Sequence, residues 1–161
     1  MSRQFQFSYQ CPPIGMLPPA ADAAGRTGPY KYLGNSSGKV AVVCRVNQGN
    51  AAQVTFSILQ ATSSAGAGSK AITASPIFFN INTTLSDTLA VQTPAVNFQT
   101  DVGLTDKIVV FEFDPADCLD LVNGFNHIAV QTSASNAANI TDAHMEYLGR
   151  YQQQVPPASE V

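Results

Sequence analysis

Gln53-Val54-Thr55-Phe56-Ser57-Ile58-Leu59-Gln60-Ala61 decides the fold. Val54, Phe56 and Ile58 alternate with Thr55 and Ser57, and successive side chains of a strand point to opposite faces. One face of this segment is therefore apolar and the other carries hydroxyls, the pattern of an antiparallel strand with one side in water. Ile128 and Val130 alternate with Ala129 and Gln131 in the same way. Ile108-Val109-Val110-Phe111 is apolar without a break, which predicts a strand covered on both faces.

Working outward, runs of this kind recur between clusters of Gly, Ser, Asn and Pro. The predicted strands are Tyr30–Leu33, Lys39–Val46, Gln53–Ala61, Lys70–Thr73, Ile77–Ile81, Thr88–Thr93, Val96–Gln99, Lys107–Phe113, His127–Thr132 and Ala143–Tyr151. One short helix is expected after Phe113. Asp114 can cap it, Pro115 suits the first helical position, Asp117 lies in the first turn, and Gly124 is placed to end it. Leu119, Leu121 and Val122 are expected to pack inward. Many short strands and one short helix indicate an all-β chain, a β-sandwich or jelly roll. The expected organisation is an extended N-terminal arm (1–29), a jelly-roll domain (30–151) and a C-terminal tail (152–161).

The arm has its own logic. Phe5, Phe7 and Tyr9 alternate with polar residues, and two Pro-Pro pairs, Pro12-Pro13 and Pro18-Pro19, exclude a helix or a central strand. An extended segment that also carries Ile14, Met16 and Leu17 is expected to lie on something. Arg3, Phe5, Phe7, Tyr9, Ile14, Met16, Leu17 and Arg26 are therefore the candidate partner-binding residues. The arginines would meet acidic groups on a shell or on a second copy. The alternative is an arm folded back on its own domain. On the arm reading, deletion of residues 1–18 leaves a folded body.

Composition narrows the function. Charged residues are only 12% of the 161, about half the usual share for a soluble domain, which suits a surface that rests against other protein. The net charge of −3 argues against general nucleic-acid binding, which needs clustered Lys and Arg. The charge is divided, with +4 over residues 1–45 and −7 over 46–161. No apolar run approaches the ~20 residues of a membrane span. Cys11, Cys44 and Cys118 are odd in number and form no CxxC pair, which predicts reduced thiols. The opening Met-Ser-Arg-Gln-Phe has no apolar stretch of a secretion signal, so the Asn-x-Ser/Thr matches at Asn35, Asn82 and Asn139 read as chance.

Catalytic patterns resolve into turns and caps. Gly34-Asn35-Ser36-Ser37-Gly38 has the letters of a nucleophile elbow, but a strand pattern follows it where a helix is required. Ser63–Lys70 is rich in Gly and Ser yet lacks the ending and the helix of a phosphate loop. Asp114, Asp117 and Asp120 lack the spacing of a calcium loop. His127 and His144 sit in or beside strands without a recognisable partner. The expectation is a protein that is not an enzyme, with no catalytic residues, cofactor or metal.

Three phrases carry a resemblance: Gln60–Ile72, Lys107–Pro115, and Ala134–Thr141 closing at Gly149-Arg150-Tyr151-Gln152. Together they resemble capsid cement, or decoration, proteins of tailed bacteriophages, of the jelly-roll type and similar to that of a Bordetella short-tailed phage. The resemblance spans residues 35–152. It implies a structural protein made in the bacterial cytoplasm that binds the outside of an icosahedral capsid and bridges capsomers. It also implies two partners, the major capsid protein and a second copy in a homodimer, with a trimer as the other option. Head-completion, tail or fibre proteins of the virion are an alternative, as is a carbohydrate-binding jelly roll. The absence of Trp weighs against the last.

Overall fold

The computed structural model describes residues 11–33 and 38–149. Within them lie β1 (Ile14–Ala21), β2 (Lys31–Tyr32), β3 (Gly38–Gln48), β4 (Thr55–Ala61), β5 (Lys70–Ala71) and β6 (Ser75–Asn80). Then come β7 (Ala90–Ala95), β8 (Asn97–Gln99), β9 (Asp106–Phe113), α1 (Pro115–Cys118), β10 (His127–Thr132) and β11 (Asn139–Gly149). They form two antiparallel sheets packed as a sandwich. One has the order β1-β11-β3-β9-β6-β7, the other β2-β10-β4-β5 with β8 also on β4. The all-β sandwich and each predicted strand are present, with boundaries shifted by a few residues.

The core follows from the alternation. Val40, Val42, Cys44 and Val46 of β3, Val109 and Phe111 of β9, and Phe56 and Ile58 of β4 are buried between the sheets. Phe79 of the larger sheet meets Phe98 of the smaller, ring centroids 4.9 Å apart. One expectation fails in β9. Its burial alternates, so Ile108 and Val110 are only half-buried on the outer face while Val109 and Phe111 face the core. The four-residue apolar run there reflects an uncovered apolar outer face rather than a second covering layer.

The helix is shorter than expected. The Asp114 side chain accepts from the Ala116 N–H at 3.0 Å, and Pro115 opens α1. Leu119 turns extended and ends it. A 3-10 turn, Leu121–Asn123, follows and closes at Gly124 with φ 80°, a left-handed conformation that glycine tolerates. The break at Leu119 interrupts the helical period. Leu119 is buried and Leu121 packs on the core, but Val122, expected inside, is 98% exposed.

The N-terminal segment departs furthest from expectation. Residues 14–21 form β1, the edge strand of the larger sheet, paired with β11. Pro18 and Pro19 lack N–H groups, so an edge is where a strand can hold them. The register shifts between Gly15 and Leu17 and again between Leu17 and Ala20. The first bulge lets two consecutive residues point inward, and Met16 (0% exposed) and Leu17 (4%) both belong to the core. Gly28 backs this strand. A Cβ there would stand 1.9 Å from the Met16 carbonyl oxygen, so only glycine fits.

Candidate functional site

The expected partner-binding residues divide into two groups. Arg3, Phe5, Phe7 and Tyr9 lie outside the described residues, as does the tail at 152–161. Ile14, Met16, Leu17 and Arg26 are engaged within the chain itself, which corrects the expectation that they face a partner. Ile14 packs against the core that holds Met16 and Leu17. Arg26 clasps the end of β1 by donating to the Pro18 carbonyl at 2.8 Å and to the Thr141 carbonyl and hydroxyl at 2.6 Å each. Its carboxylate neighbour is Asp22, 3.7 Å away and fully buried. Burial pushes the Asp22 carboxyl above its usual range, opposed by the Thr132 hydroxyl bond and by Arg26.

The other singled-out residues are used locally. Asp120 pairs with Lys70 at 2.7 Å and accepts from Asn123, which together hold its carboxyl below the usual range. Lys70 also lies 4.0 Å over the Phe125 ring, so the Ser63–Lys70 segment is a loop tied back at its end. His127 tilts against Tyr32 and contacts the Asn126 side chain at 2.7 Å, with burial lowering its pKa. Cys11, Cys44 and Cys118 are free and buried, and burial raises all three thiols.

What the fold does assemble is an apolar loop end. Residues 81–89 join β6 to β7, and residues 100–105 join β8 to β9, at the same end of the sandwich. The first loop satisfies its own backbone. The Asn80 carboxamide donates to the Ser86 carbonyl at 2.6 Å and accepts from the Asn82 N–H at 2.8 Å, while Asn82 accepts from the Thr84 hydroxyl at 2.7 Å. In the second loop the Asp101 carboxylate accepts from the Gly103 N–H at 3.0 Å. Two bonds tie the first loop to the second and to the start of β9: the Thr105 hydroxyl donates to the Ile81 carbonyl at 2.5 Å and the Thr83 N–H to the Asp106 carbonyl at 3.0 Å.

A buried cation fixes this end from below. The Lys107 ammonium donates to Gln48 Oε1 at 3.0 Å and to the Gly103 carbonyl, and stands 3.1 Å from the Asp101 carboxylate. Its side chain is 1% exposed. Gln48 returns a bond from Nε2 to the Asp101 carbonyl at 2.8 Å.

Among the polar residues of these loops, Ile81, Leu85, Leu89, Val102 and Leu104 stand outward, between 43% and 83% exposed, with Asp87 exposed beside them. Such a set offers a partner apolar contact area, already ordered before the partner arrives. Sequence reading missed it because Val102 and Leu104, two apart, are too few to mark a strand, and Ile81, Leu85 and Leu89 lie among the Asn, Thr, Ser and Asp of a loop. The available signal was single large apolar residues set among Thr, Asn, Asp and Gly.

No protein-family model matches the chain, and no curated protein does. Among solved structures the chain is similar to the SPBc2 prophage-derived protein YomS, known from a crystal structure, at 8% sequence identity. That alignment covers 85% of this chain and 92% of that one, with a TM-score of 0.47.

Proposed function

We propose that this chain is a structural protein of a tailed-phage virion, docking by its loop end on the outer surface of an icosahedral capsid. There it stabilises the shell by bridging capsomers, with the major capsid protein as its partner. The observation that carries a docking role is the exposure of Ile81, Leu85, Leu89, Val102 and Leu104 on loops held by Lys107 and by inter-loop bonds. Ordering a floppy loop on binding costs free energy, and a loop ordered beforehand avoids that cost. The nature of the partner rests on the resemblance of residues 35–152 to capsid cement proteins. Buried free thiols are compatible with assembly in a reducing bacterial cytoplasm.

Co-sedimentation with purified capsids tests the reading. Leu85 is 83% and Leu104 63% exposed, so changing both to Ser leaves the core untouched. If both side chains are buried against the shell, the double variant loses about 3 kcal/mol, roughly a hundredfold in affinity. Shell binding by the double variant equal to that of wild type would exclude the loop end as the docking site.

A further inference from the structure

The Lys107 amine and the Gln48 carboxamide meet where β9 begins and β3 ends, beside the Asp101 carboxylate. Nζ stands 3.0 Å from Gln48 Oε1 and 3.1 Å from Asp101 Oδ1. A C=O bond is about 1.23 Å long, so the carboxamide carbon Cδ lies within about 4.2 Å of Nζ. A small rotation of the lysine side chain closes the rest of the gap to the ~3–3.5 Å at which atoms react.

Both groups are held in place. The β3–β9 ladder sets Lys107 opposite Val46, one residue from Gln48's neighbour Asn47. Gln48 is 2% exposed, its main-chain N–H donates to the Thr105 carbonyl at 3.2 Å, and its Nε2 donates to the Asp101 carbonyl at 2.8 Å. The Lys107 side chain is 1% exposed, so water competes little for either partner. Asp101 is 46% exposed and opens the pair to solvent on one side.

We propose that Lys107 and Gln48 react with each other to form an isopeptide bond, with Asp101 as the proton carrier. The Lys107 ammonium gives one proton to Asp101, and the freed lone pair attacks Gln48 Cδ. The Nζ–Cδ bond forms. Asp101 delivers its proton to Nε2, and the Cδ–Nε2 bond breaks with its electron pair staying on the departing nitrogen. Asp101 then takes the second proton from Nζ and passes it to the released ammonia, which leaves to water as ammonium. Atoms and charge balance without a further reactant. Amines attack amides slowly in water, but fixed geometry supplies effective concentrations of up to ~10⁵–10⁸ M, and a placed proton carrier adds about 10²–10⁴-fold. The reaction runs once per chain, so a slow rate suffices. Freshly made protein holds the ion pair described above, and aged protein holds the amide. The bond ties β3 to β9 beneath the loop end, and it forms whether or not those loops dock on a shell.

Intact-mass spectrometry of the denatured full chain, followed over weeks at mildly alkaline pH, is the test. The expected result is a progressive loss of one ammonia. Trypsin cuts after unmodified Lys and Arg, so the product should yield residues 46–70 joined to an uncut 71–150. Gln48→Met and Lys107→Met should not form this linkage. Asp101→Asn, at a half-exposed position, should stay folded and form the bond about a hundredfold more slowly. Wild type that keeps its full mass throughout overturns the proposal. So does a loss of ammonia without the branched peptide, which places the loss elsewhere, as in a succinimide at Asn123-Gly124. Bond formation as fast in Asp101→Asn as in wild type overturns the role given to Asp101.

Discussion

Deleting residues 1–18 is expected to abolish cooperative folding. The deletion removes Met16 and Leu17, 0% and 4% exposed, together with buried Cys11 and core-packed Ile14. Truncating a buried Met or Leu to Ala alone costs about 2–5 kcal/mol, so losing two approaches the whole 5–15 kcal/mol of a typical domain. The deletion also strips β11 of its neighbour and opens a long unpaired edge, which invites aggregation. Circular dichroism during heating checks this. The expected result is no sharp transition, or one far below that of the full chain. Met16→Ser with Leu17→Ser should reproduce most of the loss without shortening the chain. A truncated protein that melts cooperatively near the full-length midpoint would return β1 to the role of a detachable arm.

Lys107→Met is the second large effect. The substitution keeps most of the side-chain volume but removes the charge that the Gly103 carbonyl, Gln48 Oε1 and Asp101 all face. A hydrogen bond to a charged group is worth about 1.5–3 kcal/mol, and a buried acceptor left without a donor adds a penalty. Asp101 is 46% exposed and can turn to water, which limits the damage. The expected cost is about 3 kcal/mol, read as a lower urea midpoint at unchanged slope. Amide exchange at Gly103 and Thr105 should quicken as well. A loss under about 1 kcal/mol would show that Lys107 is not what holds the loop end.

The two effects also show where sequence reading succeeded and where it stopped. Period two in Val54-Phe56-Ile58 sufficed for the strand and its buried face, and in Ile128-Val130 for the strand, although Ala129 on its other face is buried as well. Local backbone chemistry placed the cap at Asp114, but α1 stops at Leu119, and Gly124, expected to end the helix, closes the separate 3-10 turn instead. The fate of Met16 and Leu17 was not legible. Their strand pairs with β11, more than a hundred residues away in sequence, and a bulge breaks the alternation that would have marked them as core. Pro18 and Pro19 said "edge or extended", and only the long-range pairing decides between an edge strand and a free arm. Lys107 reads as a surface lysine opening a strand. Its burial depends on Gln48 and Asp101, brought together by the β3–β9 ladder. Ile108 and Val110 misled in the other direction, because an apolar outer face reads like a covered one.

Attachment of the loop end to a capsid is the proposed role of this chain. Quantitative mass spectrometry of purified virions tests it most directly. The expected result is a copy number comparable with that of the major capsid protein, and loss of the protein from virions that carry Leu85→Ser with Leu104→Ser. Absence from virions, or presence only in the few copies of a tail or head-completion component, would contradict it.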